Sequence, residues 1–482
     1  MLSNALDLER FIISLTSLIK KYTNQNIDKT SLEDERKKIL EEVKRFPELS
    51  NIVIDTVNIR ANQGENDFRA LLHRKHTWRH LNLSYFVPNN IYVFYKREGL
   101  YAYRIHSSRK IKIDSREITV YFLSVLYKVS PLCKISGFYY KDHILINYSG
   151  IIEDIKQIRR EIRRPDEEFP QRSILFKKIF GNLKGREVFN RLMREYLYHE
   201  ITHQSNVSLL SRWKGEGYTP IPPTELVPDG DFYWRVIDEV GAYLGQIAIS
   251  ANPKFVIVTS LLPNIHSWSP SIEYGDTSRI IIHHLFNKFK KYRWFESSYL
   301  SDIEFIDSLS DEQIRNAARE LFEETFKKPL PKRDLLEEAM KKTIYTIGSS
   351  TRDAQEFLEI LKHYDIRCLI DVRSFPTSKF EHFKKERLKE LLEGEGIRYI
   401  YLGKELGGYR RGGYEVYMKT NNYLKGIKRL EKIAERNSSA IMCAERFPWR
   451  CHRRFISQSL REREWEVIHI LEKDRIWQGK NY

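Results

Sequence analysis

After residue 342 the chain alternates short apolar runs with helical patterns: TIYTIG then RDAQEFLEILKHY, CLIDV then KKERLKELLE, IRYIYLG then YLKGIKRLEKIAER, SAIMCAE then RRFISQSLRERE, and finally EVIHIL. Runs that are apolar throughout, rather than at every second position, suit strands covered on both faces. A strand–helix–strand order repeated this often leaves few topologies. The expected one for residues 343–482 is a Rossmann-like, doubly wound α/β domain on a parallel sheet with helical crossovers.

The residues capable of chemistry in this region fall just after the predicted strands. They are Ser349, Ser350 and Arg352, then Asp371 and Arg373, then Cys443 and Glu445, with Cys451, His452 and Arg453 opening the last helix. Open α/β sheets bind ligands beyond the carboxyl ends of their strands, and helix starts favour anions. The expectation is a pocket for a phosphate-bearing ligand or nucleic acid. C-x-E followed by C-H-R is compatible with a nucleophile, a zinc site without an evident fourth ligand, or a structural turn. The phosphatase spacing C-x5-R fails, because residue 449 is Trp. Asp371 and Glu445 would also suit N-glycosidic chemistry as paired carboxylates. The motifs TIGSSTR, DVRSFP with Ser378, LGG around Gly407 and Gly408, and CAERFPWRCHR run in order between Thr343 and Leu471. On them the segment resembles the domain of unknown function 488 family, which implies a fold and little chemistry.

A second signal lies upstream. His199-Glu200-Ile201-Thr202-His203 reads H-E-x-x-H and continues the helical stripe of Phe189, Leu192, Met193 and Tyr196. Residues four apart share a helix face, so two imidazoles can bind one zinc ion, with Glu200 as general base toward an activated water. Buried without partners, these groups would cost roughly 1–3 kcal/mol each. Glu239 shares a face with Val236, Ala242, Tyr243 and Gln246 on a second predicted helix, in which Gly241 and Gly245 imply a close neighbour. With Glu239-Val240-Gly241-Ala242 matching E-x-x-A, the region resembles the gluzincin metallopeptidases. That resemblance implies Glu239 as third zinc ligand, with Asp238 as an alternative ligand or as a group orienting a histidine. Tyr274, His266, His283 and His284 are candidate oxyanion stabilisers, and KDHILINYS, 141–149, is a candidate edge strand for holding a peptide.

The chain has 482 residues and is 41% hydrophobic, so several folded domains are expected and disorder is excluded. The domains expected are 1–150, with two helices over 5–46 and then β-rich runs beginning at SNIVIDTV; a zincin-like helical metal-site domain over 151–326, which makes the N-terminal part α+β; a linker over 327–342; and 343–482. A Pro/Gly/Asp loop, 223–231, separates the two site helices. No apolar run reaches transmembrane length. The absence of a signal-peptide layout and the presence of only four cysteines point to the cytoplasm and to no membrane partner. The last 142 residues carry +10 of the formal +16, which favours polyanions. The leading expectation is a zinc metallopeptidase acting on a protein or peptide, fused to a basic anion- or nucleic-acid-binding domain. The alternatives are a nucleotide- or nucleic-acid-processing enzyme sited in the C-terminal domain, and a nucleic-acid-binding sensor without catalysis.

Overall fold

The computed structural model describes residues 5–23, 32–61, 86–87, 91–96, 99–126, 137–140, 142–164, 170–221, 230–266, 272–289, 299–435 and 437–478. Cys133 and residues 223–229 of the expected loop lie outside them. The chain is multidomain, with helices and sheets in each part. It forms two compact units, one of Met1–Ser108, Phe122–Ser130 and Lys341–Tyr482, the other of Arg109–Tyr121 and Pro131–Met340. Among the described residues no helix is long and apolar enough to cross a membrane.

The first elements are helices α1 (Ala5–Thr23), α2 (Glu33–Glu42) and α3 (Ser50–Ala61), then strands β1 (Ile91–Lys96), β2 (Gly99–Ile113) and β3 (Arg116–Val125). Leu8, Phe11, Leu15 and Leu18 of α1 pack with Ile39, Phe46 and Val53, and with Ile91 and Val93 of β1. SNIVIDTV, expected as a strand, is helical. Its β-branched residues have low helix propensity, but Ile52, Val53, Thr56 and Val57 are all buried at helical spacing. Packing of that face outweighs the local preference.

Next come β4 (Gly137–Tyr140), β5 (His143–Asn147) and helices α4 (Tyr148–Arg163), α5 (Pro170–Phe180), α6 (Gly185–Glu216), α7 (Asp231–Ile249), α8 (Ile272–Asn287), α9 (Tyr299–Ser308), α10 (Asp311–Phe326) and α11 (Arg333–Met340). The five-stranded sheet has the order β1-β2-β3-β5-β4. KDHILINYS does contain a strand, β5, but it is interior. The edge strand is β4, paired antiparallel with it from Gly137↔Ile146 to Tyr140↔His143. Asn147 caps α4 by accepting from the Ser149 amide at 3.1 Å, which ends the strand. The middle of α6, Glu200 to Asn206, is buried all round. The segment expected as a linker contains α11, and the Tyr198 hydroxyl of α6 donates to the Pro331 carbonyl.

The C-terminal region carries all five expected strands, β6 (Thr343–Gly348), β7 (Cys368–Asp371), β8 (Arg398–Tyr401), β9 (Ser439–Cys443) and β10 (Glu466–Glu472), plus a short β11 (Arg475–Trp477). Helices α12 (Ala354–His363), α13 (Lys385–Gly394), α14 (Asn421–Ala434) and α15 (Arg453–Arg461) alternate with them. The sheet order is β11-β10-β6-β9-β7-β8. The β10–β6, β6–β9, β9–β7 and β7–β8 pairings are parallel, while β11 pairs antiparallel with β10. Ile441 and Cys443 of β9 join a core with Ile427, Leu430 and Leu460, whereas Ala440 and Met442 join another with Phe357, Leu388 and Leu392. Successive strand residues face opposite sides, so both faces of the sheet are covered.

Candidate metal centre

The two site helices touch because glycine lets them. A Cβ at Gly245 would come within 2.5 Å of Thr202 Oγ1, and one at Gly241 within 2.5 Å of Asn206 Nδ2. Gly245→Ala is expected to destabilise the fold by about 1–3 kcal/mol, as overpacking does. Equilibrium denaturation measures it, and an unchanged midpoint would show that the helices can part at no cost.

This approach gathers His199 and His203 of α6 with Glu239 of α7, each with a ligand atom within 4.8 Å of the others. His199 Nε2 lies 3.2 Å from His203 Nε2 and 3.5 Å from Glu239 Oε2, and His203 Nε2 lies 3.8 Å from that oxygen. Ligand atoms about 2.0–2.2 Å from a tetrahedral zinc ion stand roughly 3.3–3.5 Å apart. The far nitrogens each face a side-chain oxygen. His199 Nδ1 is 3.0 Å from Gln246 Oε1, an acceptor, and His203 Nδ1 is 3.0 Å from Asp238 Oδ2. His199 Nδ1 therefore carries a proton, and the two Nε2 atoms face one another across a gap that a shared proton closes in the metal-free site and that a cation would fill in its place. Asp238 thus sits behind His203 rather than among the facing atoms. The Tyr139 hydroxyl donates to Asp238 Oδ2 at 2.6 Å, and the Tyr139 ring stacks on His203 with centroids 4.6 Å apart.

Electrostatics point the same way. Burial works to lower the His203 imidazole, but Asp238 and Glu239 outweigh it and hold it up at about 10, so without a metal the site keeps a proton. Burial works to raise Glu239, and the two histidines overcome it and hold the carboxyl low. Glu200 has no such anchor. Burial pushes it up to about 7 against the pull of His199 and His203, and its Oε2 is buried with no hydrogen-bond partner. Its other oxygen abuts the edge strand, since a Cβ at Gly137 would come within 2.9 Å of Glu200 Oε1. The residues present fit a zinc ion: two imidazoles and a carboxylate converge, and an orphaned carboxylate stands beside them.

Among the candidate oxyanion stabilisers, Tyr274 is 40% exposed and close enough to Tyr243 to raise its phenol, after burial and Glu239. Tyr243 in turn packs its ring edge-on against His199, with centroids 4.7 Å apart. His283 and His284 contact each other edge-on, and His283 Nε2 lies 3.2 Å from Asn287 Nδ2. The side chain of His266 lies outside what is described. Tyr139 and Gly137 carried no signal in sequence, because only the strand order brings β4 to α6 and α7. Gln246 was visible as the residue two turns from Glu239 on one helix face.

The C-terminal residues expected to line an anion pocket have the following partners. Asp371 is fully buried and accepts from Arg373 Nε (3.0 Å) and Nη2 (2.7 Å) and from the Tyr399 hydroxyl (2.7 Å). Arg373 Nη1 donates to the Phe383 carbonyl at 2.8 Å. Arg352 is buried and donates to the carbonyls of Gly348 and Leu471. Arg453 is buried and donates to the Glu445 carbonyl, whereas the Glu445 side chain is exposed. These arginines hold loops together, and Asp371 is saturated rather than paired with Glu445. Ser349 is buried, and the amides of Ser349 and Ser350 donate to the carbonyls of Cys443 and Ala444, each at 2.9 Å. Ser350 takes a left-handed φ of 51°, a strained conformation for a residue with a side chain.

Cys443, Cys451 and His452 do converge, each with a ligand atom within 4.8 Å of the others. The Cys451 thiol is held far below its ordinary range, first by a hydrogen bond from Cys443, with His452 and Arg453 adding to it; Cys443, the donor, is pushed up.

The family model for the domain of unknown function DUF488 matches residues 353–460, so this C-terminal segment is similar to that family. No curated protein and no solved structure matches the chain.

Proposed function

We propose that the chain is a zinc-dependent metallopeptidase of the gluzincin kind, fused to a basic domain that binds a polyanion. The observation that carries the first part is the convergence of His199, His203 and Glu239 beside a buried, unpartnered Glu200. A zinc ion held by those three residues would supply Lewis-acid polarisation and a water of lowered pKa. Glu200, buried and without a hydrogen-bond partner at Oε2, is placed to take the proton of that water. Gln246 and Asp238 orient the imidazoles, and Tyr139 orients Asp238. β4 is an edge strand that meets Glu200 at Gly137, and an extended peptide adding to β4 by strand pairing would lie one strand away from the base.

Two consequences test this reading. Cleavage of casein by the zinc-loaded chain should stop with a chelator and return with zinc; cleavage indifferent to the chelator contradicts it. Asp238→Asn is expected to weaken zinc binding by roughly 10–100-fold, as loss of an orienting carboxylate does. Competition against a chromophoric chelator reads this, and an unchanged affinity would remove Asp238 from the site.

The polyanion part rests on the C-terminal surface. Phe375 is 67% and Tyr409 81% exposed, with ring centroids 5.7 Å apart. Phe447 and Trp449 stack nearby in sequence, and Arg446 and Arg450 each lie 5.9 Å from the Phe447 ring. Exposed aromatic rings interleaved with guanidinium groups suit single-stranded nucleic acid, by stacking and phosphate contact. Binding of a labelled oligonucleotide should weaken steeply with salt; binding insensitive to salt, or none at low salt, contradicts it. The separate cores on the two sheet faces support a doubly wound, Rossmann-like reading of this domain. The three unpaired cysteines, Cys368, Cys443 and Cys451, support a reducing, cytoplasmic setting.

A further inference from the structure

The cysteine cluster shares no residue with the proposed peptidase site and has its own geometry. Cys443 ends β9, and Cys451 and His452 lie just before α15. His452 Nδ1 is 3.6 Å from Cys451 Sγ and 3.9 Å from Cys443 Sγ. In a tetrahedral zinc site, with Zn–S about 2.3 Å and Zn–N about 2.0–2.1 Å, sulfur and nitrogen ligands stand roughly 3.5 Å apart. The other ring nitrogen is committed. His452 Nε2 lies 3.0 Å from the Val372 carbonyl, to which it can only donate. That bond fixes the tautomer and turns the Nδ1 lone pair toward both sulfurs. The Arg453 amide donates to Cys451 Sγ at 3.5 Å, a further hold on the thiolate form. Gly408 stands against the same nitrogen, and a Cβ there would come within 2.6 Å of Nδ1.

The place of the cluster in the sheet matters as much as its distances. β6 and β9 are neighbours. From β6 the chain goes on to β7, on the β9 side, while from β9 it goes on to β10, on the β6 side. The helix that follows β6 packs into one core and the helix that follows β9 into the other, so the two connections leave neighbouring strand ends toward opposite faces of the sheet, and the crevice between such ends is where open α/β sheets bind ligands. Cys443 sits at that end of β9.

We propose that Cys443, Cys451 and His452 form a second metal site, which binds one zinc ion through two thiolates and an imidazole and leaves its fourth position to water or to an anionic group of a ligand. The one proton that the two sulfurs share goes to solvent on binding. The site uses no residue of the H-E-x-x-H region, and it stands or falls independently of the peptidase reading.

The test uses the full chain with His199→Ala and His203→Ala, stripped of metal and then titrated with zinc or cobalt. About one zinc per chain should remain bound, as a mononuclear site requires. The cobalt form should show a near-ultraviolet thiolate-to-metal charge-transfer band. Adding Cys443→Ser and Cys451→Ser should remove both. In the wild-type chain, zinc should slow the reaction of two thiols with an aromatic disulfide reagent at least tenfold. No retained zinc, a cobalt spectrum without the charge-transfer band, or thiols equally reactive with and without zinc would overturn the proposal. The spectral and thiol readouts are taken with the cysteines intact, so a serine variant that fails to fold does not obscure them.

Discussion

Replacing Glu200 with Gln is expected to lower peptide hydrolysis by roughly 10²–10⁴-fold, the usual contribution of a general base, while zinc stays bound. Gln keeps the shape of the side chain but cannot take a proton, and His199, His203 and Glu239 are untouched. The same substitution has a second, opposite effect on stability. Burial raises Glu200 from 4.5 to about 7 in the metal-free protein. Between those values the folded protein binds a proton that the unfolded chain has lost, so the contribution of this group to stability falls as pH rises through that window. Gln carries no such burden. Metal-free Glu200→Gln should therefore melt above the wild type at pH 8, and the gap should close toward pH 4.5. A variant that hydrolyses peptides as fast as the wild type removes Glu200 as the base. A variant that melts lower at pH 8 would make the carboxylate a structural group.

Asp371→Ala is expected to cost about 3–5 kcal/mol, the effect of removing one partner from a buried ion pair. Asp371 is fully buried, and its removal strands Arg373, itself 4% exposed, together with the Tyr399 hydroxyl. Tyr399→Phe should cost about 1 kcal/mol, since it deletes one hydrogen bond and leaves the pair intact. Denaturant midpoints of the two variants decide the point. If Asp371→Ala were as stable as the wild type, the carboxylate would be free for chemistry, and the catalytic pairing with Glu445 would be worth pursuing. A large loss of stability accounts for Asp371 without any ligand.

What could be read in sequence follows from how locally each feature is specified. The alternation that places β6 to β10 is a pattern within short segments, so the strands appear where the apolar runs are. The H-E-x-x-H spacing is likewise set by one helix, and the glycines at 241 and 245 anticipated the close neighbour that the structure shows at Thr202 and Asn206. The difficult cases depend on partners distant in sequence. SNIVIDTV is helical because its buried face packs on other helices, against its own propensity. β5 resembled the edge strand, but β4 occupies the edge, and register between strands is not written in either one. Arg352, Arg373 and Arg453 follow strands, as ligand-binding residues do, yet their guanidinium groups face carbonyls and a carboxylate of this same chain. Residue type and position were legible there; what each side chain meets was not.

The most direct test of the central claim is the zinc content of the full-length Cys443→Ser, Cys451→Ser chain, with and without His203→Ala. The full chain is needed because Met1–Ser108 belongs to the same compact unit as the C-terminal sheet, so a fragment ending near residue 340 would be cut from its partner. The account predicts about one zinc per chain in the serine variant and none once His203 is replaced. No zinc in the serine variant, in a chain that circular dichroism shows to be folded, would contradict it.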